Sequence, residues 1–401
     1  MTNRTVATGK SHHAKLTLTP TERRASITLA LLFASRMLGL FLLTPVFAVV
    51  ANTIPGGNDA AKVGLALGAY GLTQAVMQIP LGMASDRIGR RPVILFGVVL
   101  FILGGVICAM ASDINWIIVG RVIQGLGAVS AAITAWVADA TRPEVRTRAM
   151  AMVGGSIGIS FAASLVLSPL LVGEFGLSGL FWAISLLGFV CLLIAAFVVP
   201  AVPRDKTPIV QVRVRDVLGH ADLLRLNFGV FCLHFILMAI FIVAPGLLAR
   251  LGGYDSSHLW EVYLPVILLS FIFMVPAVFY TETRRAHKVS LEIAVAGLVI
   301  VLALMPLASH NFYAVVIMFV GFFVAFNILE ALQPSLVSRV APPSFKGLAL
   351  GFYNTAQSLG VFAGAAIGGL LASHGEESQV FLVASALAFV WFLTARGFKS
   401  N

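Results

Sequence analysis

The sequence predicts an all-α, polytopic membrane protein with twelve transmembrane helices in two pseudo-symmetric six-helix bundles. Three observations carry this. Of 401 residues, 59% are apolar and only 11% charged, whereas a soluble domain carries roughly 25% charged residues. Twelve runs reach the roughly 20 apolar residues that a bilayer crossing needs. The second half of the chain also repeats features of the first.

Residues 1–22 form a polar, basic tail with no apolar stretch of the kind a cleaved signal peptide needs. Span 1 is expected over 25–51, span 2 over 61–84 and span 3 over 93–112. Span 4 (114–140) follows after Ser112-Asp113, a turn so short that spans 3 and 4 must be antiparallel neighbours. Spans 5 (148–173) and 6 (178–200) complete a bundle over residues 23–200. The longest polar insert, 201–223, then divides the chain. Spans 7 (224–251), 8 (258–281) and 9 (289–308) open the second bundle, 224–397. Ser309-His310-Asn311 is again a tight turn into span 10 (312–339). Spans 11 (347–373) and 12 (378–397) precede a short terminus, 398–401. Cys108, Cys191 and Cys232 are scattered within spans without metal-ligand spacing and read as small core residues.

The net charge of +10 suggests nucleic acid only until the charges are placed. Of 27 Lys and Arg, 23 fall on one side of the predicted topology. Lys62 and Arg250 fall on the other side, and Arg36 and Arg121 lie inside spans. By the positive-inside rule both termini are cytoplasmic. The basic excess is topology plus contact with anionic lipid, with no nucleic-acid partner.

The halves correspond. Pro45 answers Pro245, Pro80 answers Pro276, Asp86 answers Glu282, Pro143 answers Pro343 and Ala149 answers Ala349. The matches keep nearly one offset and one order, as a duplicated unit would. Such repeats are characteristic of secondary transporters.

"LGMASDRIGRRP", residues 81–92, concentrates charge between spans 2 and 3. Gly82 permits close helix approach, and Gly89 a turn with positive φ. Arg87, Arg90 and Arg91 hold the loop inside and can reach lipid phosphate. Asp86 weakens that topology signal, so its role is to face a helix N-terminus or an arginine. The second copy, "YTETRRAHK", keeps Glu282 and basic residues including Arg284 but loses both glycines, which predicts a looser arrangement.

Ionisable groups near the bilayer centre cost several kcal/mol and are functional candidates. Arg36, Arg121, His234 and Glu330 are such groups, and they fall on spans 1, 4, 7 and 10. Arg121, Gln124, Gly125 and Ala128 share one helical face, as do Asn327, Glu330 and Pro334. Tyr70, Gln74 and Gln78 share a face of span 2, and Ser156, Ser160 and Ser164 a face of span 5. His234 can also be read as a neutral histidine bonded to a carbonyl, and the span 5 residues as packing. Burial favours a neutral acid and a neighbouring arginine favours its anion, so a site poised between the two can load and release protons.

The segments "SRMLGLF", "YGLTQAVMQIPLGMASDRIGRRP", "GRVIQGLGA", "LNFGVFCLH", "VAFNILEALQPSL" and "KGLALGFYNTAQSLGV" resemble the drug:proton antiporter branch, twelve-helix type, of the major facilitator superfamily. Within it they resemble the bacterial YajR-type transporters, over about residues 20–397. The resemblance implies that spans 1, 4, 7 and 10 line a central cavity, with Tyr70, Gln74, Gln78, Asn354 and Gln357 as further candidates for its lining. It implies that Asp86 caps the N-terminus of span 11 and that Arg90 pairs with Asp139. Together these would latch the cytoplasmic gate when the protein faces outward, with Glu282 and Arg284 as the second-half gate. Two features depart from it. The span 5 motif ends in Ser168-Pro169 with a single trailing Gly173, where Gly-Pro and a glycine pair are usual. The chain stops at Asn401, without the soluble C-terminal domain of YajR-type proteins.

The expected function is a bacterial inner-membrane secondary transporter working by alternating access, with proton antiport exporting a small amphipathic compound. The alternative is a proton symporter or facilitator importing a small nutrient. Glu330 is the first candidate for the proton-linked acid and His234 the second. Arg36 and Arg121 would tune it or hold an anionic group. The first half offers no mid-span acid, so a neutral or anionic substrate is favoured. No cofactor, metal cluster, nucleophile–base spacing or phosphate loop is expected, which speaks against an enzyme. A receptor would need an output domain larger than the insert, and a monomer suffices for the fold.

Overall fold

The computed structural model describes residues 18–200, 214–342, 346–375 and 377–399. Most of the tail, residues 201–213 of the linker, Pro343 and the last two residues lie outside these. All regular elements among the described residues are helical. Ten segments are long and apolar enough to cross a membrane. One of them, Met152–Val198, is two spans. They join at Gly176, whose φ of 65° is open to glycine and strained for other residues. A twelfth helix, Ala60–Ile88, has 29 residues, but its glycines and its Tyr70-Gln74-Gln78 face dilute its hydropathy. Phe197, Leu307 and Tyr313 are more than 70% exposed, as side chains facing lipid would be. The chain is a multi-pass membrane protein.

The two short turns form as expected. Asp113 accepts from the amides of Asn115 and Trp116 to start span 4, and Asn311 accepts from Ala314 to start span 10. Two spans differ from expectation because each is broken. Span 1 is helical over Pro20–Phe41, turns through residues 42–46, and resumes over Phe47–Val50. Carbonyls freed near Pro45 find distant donors, with Ser168 bonding Leu42 and Tyr263 bonding Pro45. Span 4 is Ile114–Leu126 and then Ser130–Asp139. Between them Gly127 packs on the carbonyl of Gly97 in span 3, where a Cβ would collide.

Packing repeats between the halves. Span 2 packs on span 4 as span 8 packs on span 10, and span 3 on span 4 as span 9 on span 10. Across the halves, span 2 packs on span 11, and span 5 meets the start of span 8 where Gly173 faces Ser257. These two contacts exchange under the same pseudo-two-fold axis.

Residues 18 and 399, the first and last described, share one end with the arginine-rich loops, the basic end. There Glu22 at the start of span 1 binds Arg142 after span 4, and the Lys399 amide contacts Asp222 at the start of span 7. At the far end the bundles close. Gly64, Gly68 and Gly71 of span 2 lie so close to Ala365, Phe362 and Ser358 of span 11 that any Cβ would meet backbone. Asp255 organises the turn that meets span 5, and hydrogen bonds from Ser257 and the Ser256 amide hold its carboxyl below the usual carboxylate range. At the basic end the bundles part, and Gly154, Gly155, Gly158, Gly347 and Gly351 have open space where a Cβ would stand. Between the two ends lies an aromatic ceiling. Phe161 of span 5 sits against Phe41 at 5.2 Å, Phe326 at 5.8 Å, Phe323 at 6.0 Å and Phe241 at 6.3 Å.

Candidate functional site

Arg36 is buried in the N-terminal bundle among neutral acceptors. Its guanidinium donates to Tyr70 Oη at 2.6 Å, Ser130 Oγ at 2.8 Å and Gln74 Oε1 at 3.0 Å. Arg121 is equally buried, donates to Gln124 Oε1 at 3.0 Å, and lies 4.8 Å from the centre of the Tyr70 ring. Gly125 allows this, because a side chain there would strike Tyr70 and Thr73 of span 2. Tyr70 thus touches both arginines. Among the described residues neither arginine forms an ion pair with a carboxylate, and the Nε of each has no hydrogen-bond partner. Two buried cations without acids are costly; hydrogen bonds and one aromatic face offset part of that cost. Gln78, on the same face as Tyr70 and Gln74, is buried but joins no bond.

The C-terminal bundle supplies the acid. Glu330 Oε2 lies 3.7 Å from His234 Nε2, and His234 is the ionisable group it pairs with. His234 Nδ1 is 3.1 Å from the Val230 carbonyl, and its Nε2 is 2.6 Å from the amide nitrogen of Gln357. These contacts fit the neutral tautomer, in which Nδ1–H donates to the carbonyl and Nε2 accepts from Gln357. A proton arriving at Nε2 would turn acceptor into donor. The Gln357 nitrogen would then have to give way, and Glu330 would become the nearest acceptor. Tyr353 lies within electrostatic reach of Glu330, and its hydroxyl is buried without a partner. Asn327 donates to Ser270 of span 8 at 3.1 Å. The Asn354 carbonyl accepts from Ser358 Oγ at 3.0 Å.

A hydrogen bond also ties the Arg36 cluster to the other bundle. Gln74 accepts from Arg36 and donates to Ser358 Oγ at 2.8 Å, so the Arg36 cluster reaches across the bundle interface into span 11.

At the basic end Arg90 lies between two acids. Its Nε is 2.9 Å from Asp139 Oδ2, and it also pairs with Asp86 and donates to Ser85 Oγ at 2.8 Å. Gly89 has φ of 107°, as the tight turn requires. Arg87 is exposed. Arg91 is engaged within the first bundle. It donates to the Val199 carbonyl at 2.5 Å and lies 5.6 Å from the Trp136 ring, tying the loop to the end of span 6. Gly82 meets Ala131 at ordinary contact distance, so no close helix approach demands it here. The second copy has the opposite charge order. Glu282 is central, with Arg339 at 2.7 Å and His287 at 3.3 Å. Arg284 is exposed, and the partners of Glu282 come from spans 9 and 10.

Arg339 was findable, since it ends span 10 at the offset that relates it to Asp139. Ser130, Ser358, Tyr353 and Ser270 carried no such signal, being ordinary residues placed by packing. The span 5 serines serve packing, with Ser160 bonding the Ala34 carbonyl of span 1 at 2.9 Å.

The Major Facilitator Superfamily model matches residues 29–365. The chain is 41% identical over 386 residues to the inner membrane transport protein YajR of Escherichia coli (strain K12), covering 95% of this chain and 85% of that protein. Among solved structures, a bacterial homolog of the human lysosomal transporter Spinster superposes with a TM-score of 0.76 at 14% identity, covering 95% of this chain and 97% of the other. A D-xylose-proton symporter superposes with a TM-score of 0.75 at 15% identity, covering 93% and 97%. These are transporters and not enzymes. The chain belongs to the major facilitator superfamily and is a membrane transporter of that kind.

Proposed function

We propose that the chain is a proton-coupled antiporter that exports a small neutral or anionic compound by alternating access. The observation that carries this is the Glu330–His234 pair beneath the aromatic ceiling, with Gln357 bound to the same imidazole nitrogen. Protonation of the pair changes what His234 can bind, and substrate in the adjoining cavity competes for the same groups. The uncompensated Arg36 and Arg121 disfavour cations. The positive-inside rule puts the basic end in the cytoplasm, so the open basic end is an inward-facing state. The Asp86–Arg90–Asp139 cluster is then the cytoplasmic latch waiting for span 11, and Glu282 with Arg339 its counterpart. The protein sits in the inner membrane with both termini inside and functions as a monomer.

The test uses inside-out vesicles, acidified within and loaded with a pH-sensitive dye, to which cationic, neutral and anionic compounds are added. A neutral or anionic compound is expected to release protons from wild-type vesicles and not from Glu330→Gln vesicles. Equilibration of a labelled compound without proton movement would overturn antiport in favour of a facilitator. Saturable, ΔpH-coupled transport of lipophilic cations would overturn the substrate class.

A further inference from the structure

Of twelve buried side-chain atoms without a hydrogen-bond partner among the described residues, seven belong to the C-terminal half. Several of them fall into line. His220, at the N-cap of the helix Ala221–Gly252 that forms span 7, is followed at steps of seven by Asn227 and His234, and a step of seven returns to nearly the same face of a helix. His220 Nδ1 and Asn227 Oδ1 are orphaned. On span 10, Glu330 and Gln333 are one turn apart. Glu330 Oε2 and both amide atoms of Gln333 are orphaned, and Gln333 is fully buried. Gln333 lies between the two spans. A Cβ on Gly229 of span 7 would stand 2.6 Å from Gln333 Oε1, so that glycine makes the room the amide occupies.

The line has an entrance. At the basic end a pocket of about 170 Å³ is bordered by His220, Asp222, His287, Arg339 and Lys399. Span 7 runs inward from it through Asn227 to His234, and span 10 through Gln333 to Glu330. A buried amide with both ends unsatisfied costs about 1–3 kcal/mol per group unless water bonds it, and buried waters typically make about three such bonds. Successive groups on the span 7 line are roughly 10 Å apart along the axis, a gap of about three hydrogen-bonded waters.

We propose that protons reach Glu330 through a file of waters inside the C-terminal bundle. It is entered at the His220 pocket, lined by Asn227 and Gln333, and separate from the cavity between the bundles. This rests on the reading of Glu330 and His234 as the proton-linked pair. A hydronium at the mouth gives one proton to the first water, each water takes one and passes one on, and the Glu330 carboxylate ends as a carboxylic acid. The reverse sequence returns the proton. A separate route lets Glu330 release its proton to the basic-end solution as substrate enters the cavity, so that the two ligands leave and arrive by different paths.

The experiment follows the carboxylic-acid C=O band by time-resolved infrared difference spectroscopy after a pH jump, on the purified full-length chain, with protons as the only ligand. The band is assigned by its loss in Glu330→Gln. Gln333→Met keeps the side-chain length and removes both polar atoms; Asn227→Leu does the same nearer the mouth, so one variant suffices if the other fails to fold. The Glu330 band is expected to rise roughly tenfold more slowly in either variant, the effect of losing about one water-bridged hydrogen bond. Gln333→Ser, which leaves space for a water, is expected to keep the wild-type rate. An unchanged rate in Gln333→Met or Asn227→Leu would overturn the route and leave the proton-linked pair standing, with the central cavity as its supply. A difference spectrum that Glu330→Gln does not alter would remove the pair itself, and the route with it.

Discussion

Arg36 illustrates what a single residue reveals and what it conceals. A charge in mid-span is conspicuous because its burial is costly, so Arg36, Arg121, His234 and Glu330 were all legible as functional candidates. Their partners were not. Ser130 and Ser358 are two of many serines, and only the fold brings them to Arg36 and Gln74. The Arg90 cluster is the opposite case, since its spacing and the family resemblance located both acids. Its energetics are modest. Arg90 is one fifth exposed, while Asp86 and Asp139 are each about two fifths exposed, and ion pairs in such settings are worth roughly 0–1 kcal/mol. Arg90→Ala is therefore expected to shift thermal unfolding of the purified protein by no more than that amount. The substitution would act instead on the rate of gate closure. A loss of several kcal/mol on heating would show that Arg90 holds the bundle together and is no latch.

At the scale of elements, the apolar runs made the spans countable because nothing but a helix satisfies its own backbone in lipid. Breaks inside spans were less legible. Seven prolines sit within the described spanning helices without ending them, yet at Pro45 the helix turns. The difference lies in Ser168 and Tyr263, which bond the freed carbonyls from far along the chain. The glycines of span 2 were likewise visible as letters, but their facing partners on span 11 were not. At Gly64, Gly68 and Gly71 the two spans touch backbone to backbone, and small residues make this possible. Gly64→Val drives a branched side chain into the Ala365 carbonyl. The expected outcome is a far end held apart, read by pulsed electron paramagnetic resonance as a longer distance between spin labels at Asn58 and His374. An unchanged distance would mean that the interface yields elsewhere and that the glycines do not set closure.

For the whole molecule, the two ends are linked because each bundle packs as a unit, so what opens one end should close the other. Gly158 offers a probe. It stands at the parted basic end with open space where a side chain would go. The three native cysteines are all buried, so a new thiol at Gly158 would be the accessible one among the described residues. Gly158→Cys should react readily with a membrane-impermeant maleimide in inside-out vesicles and remain unlabelled in intact cells. That would put the basic end in the cytoplasm, as the placement of 23 of 27 Lys and Arg requires. Adding Gly64→Val should slow the labelling by about tenfold if the wedge leaves roughly a tenth of the molecules inward-facing. The distance from Gly64 to Gly158 rules out a local effect, since one lies in the far-end contact with span 11 and the other in the opposite half of span 5. Rapid labelling in both single and double variants would mean that the ends move independently. The protein would then be a facilitator with two gates, and alternating access would have to be abandoned. Slowed labelling would tie the glycine contact, the latch loop and the Glu330 site to one conformational change.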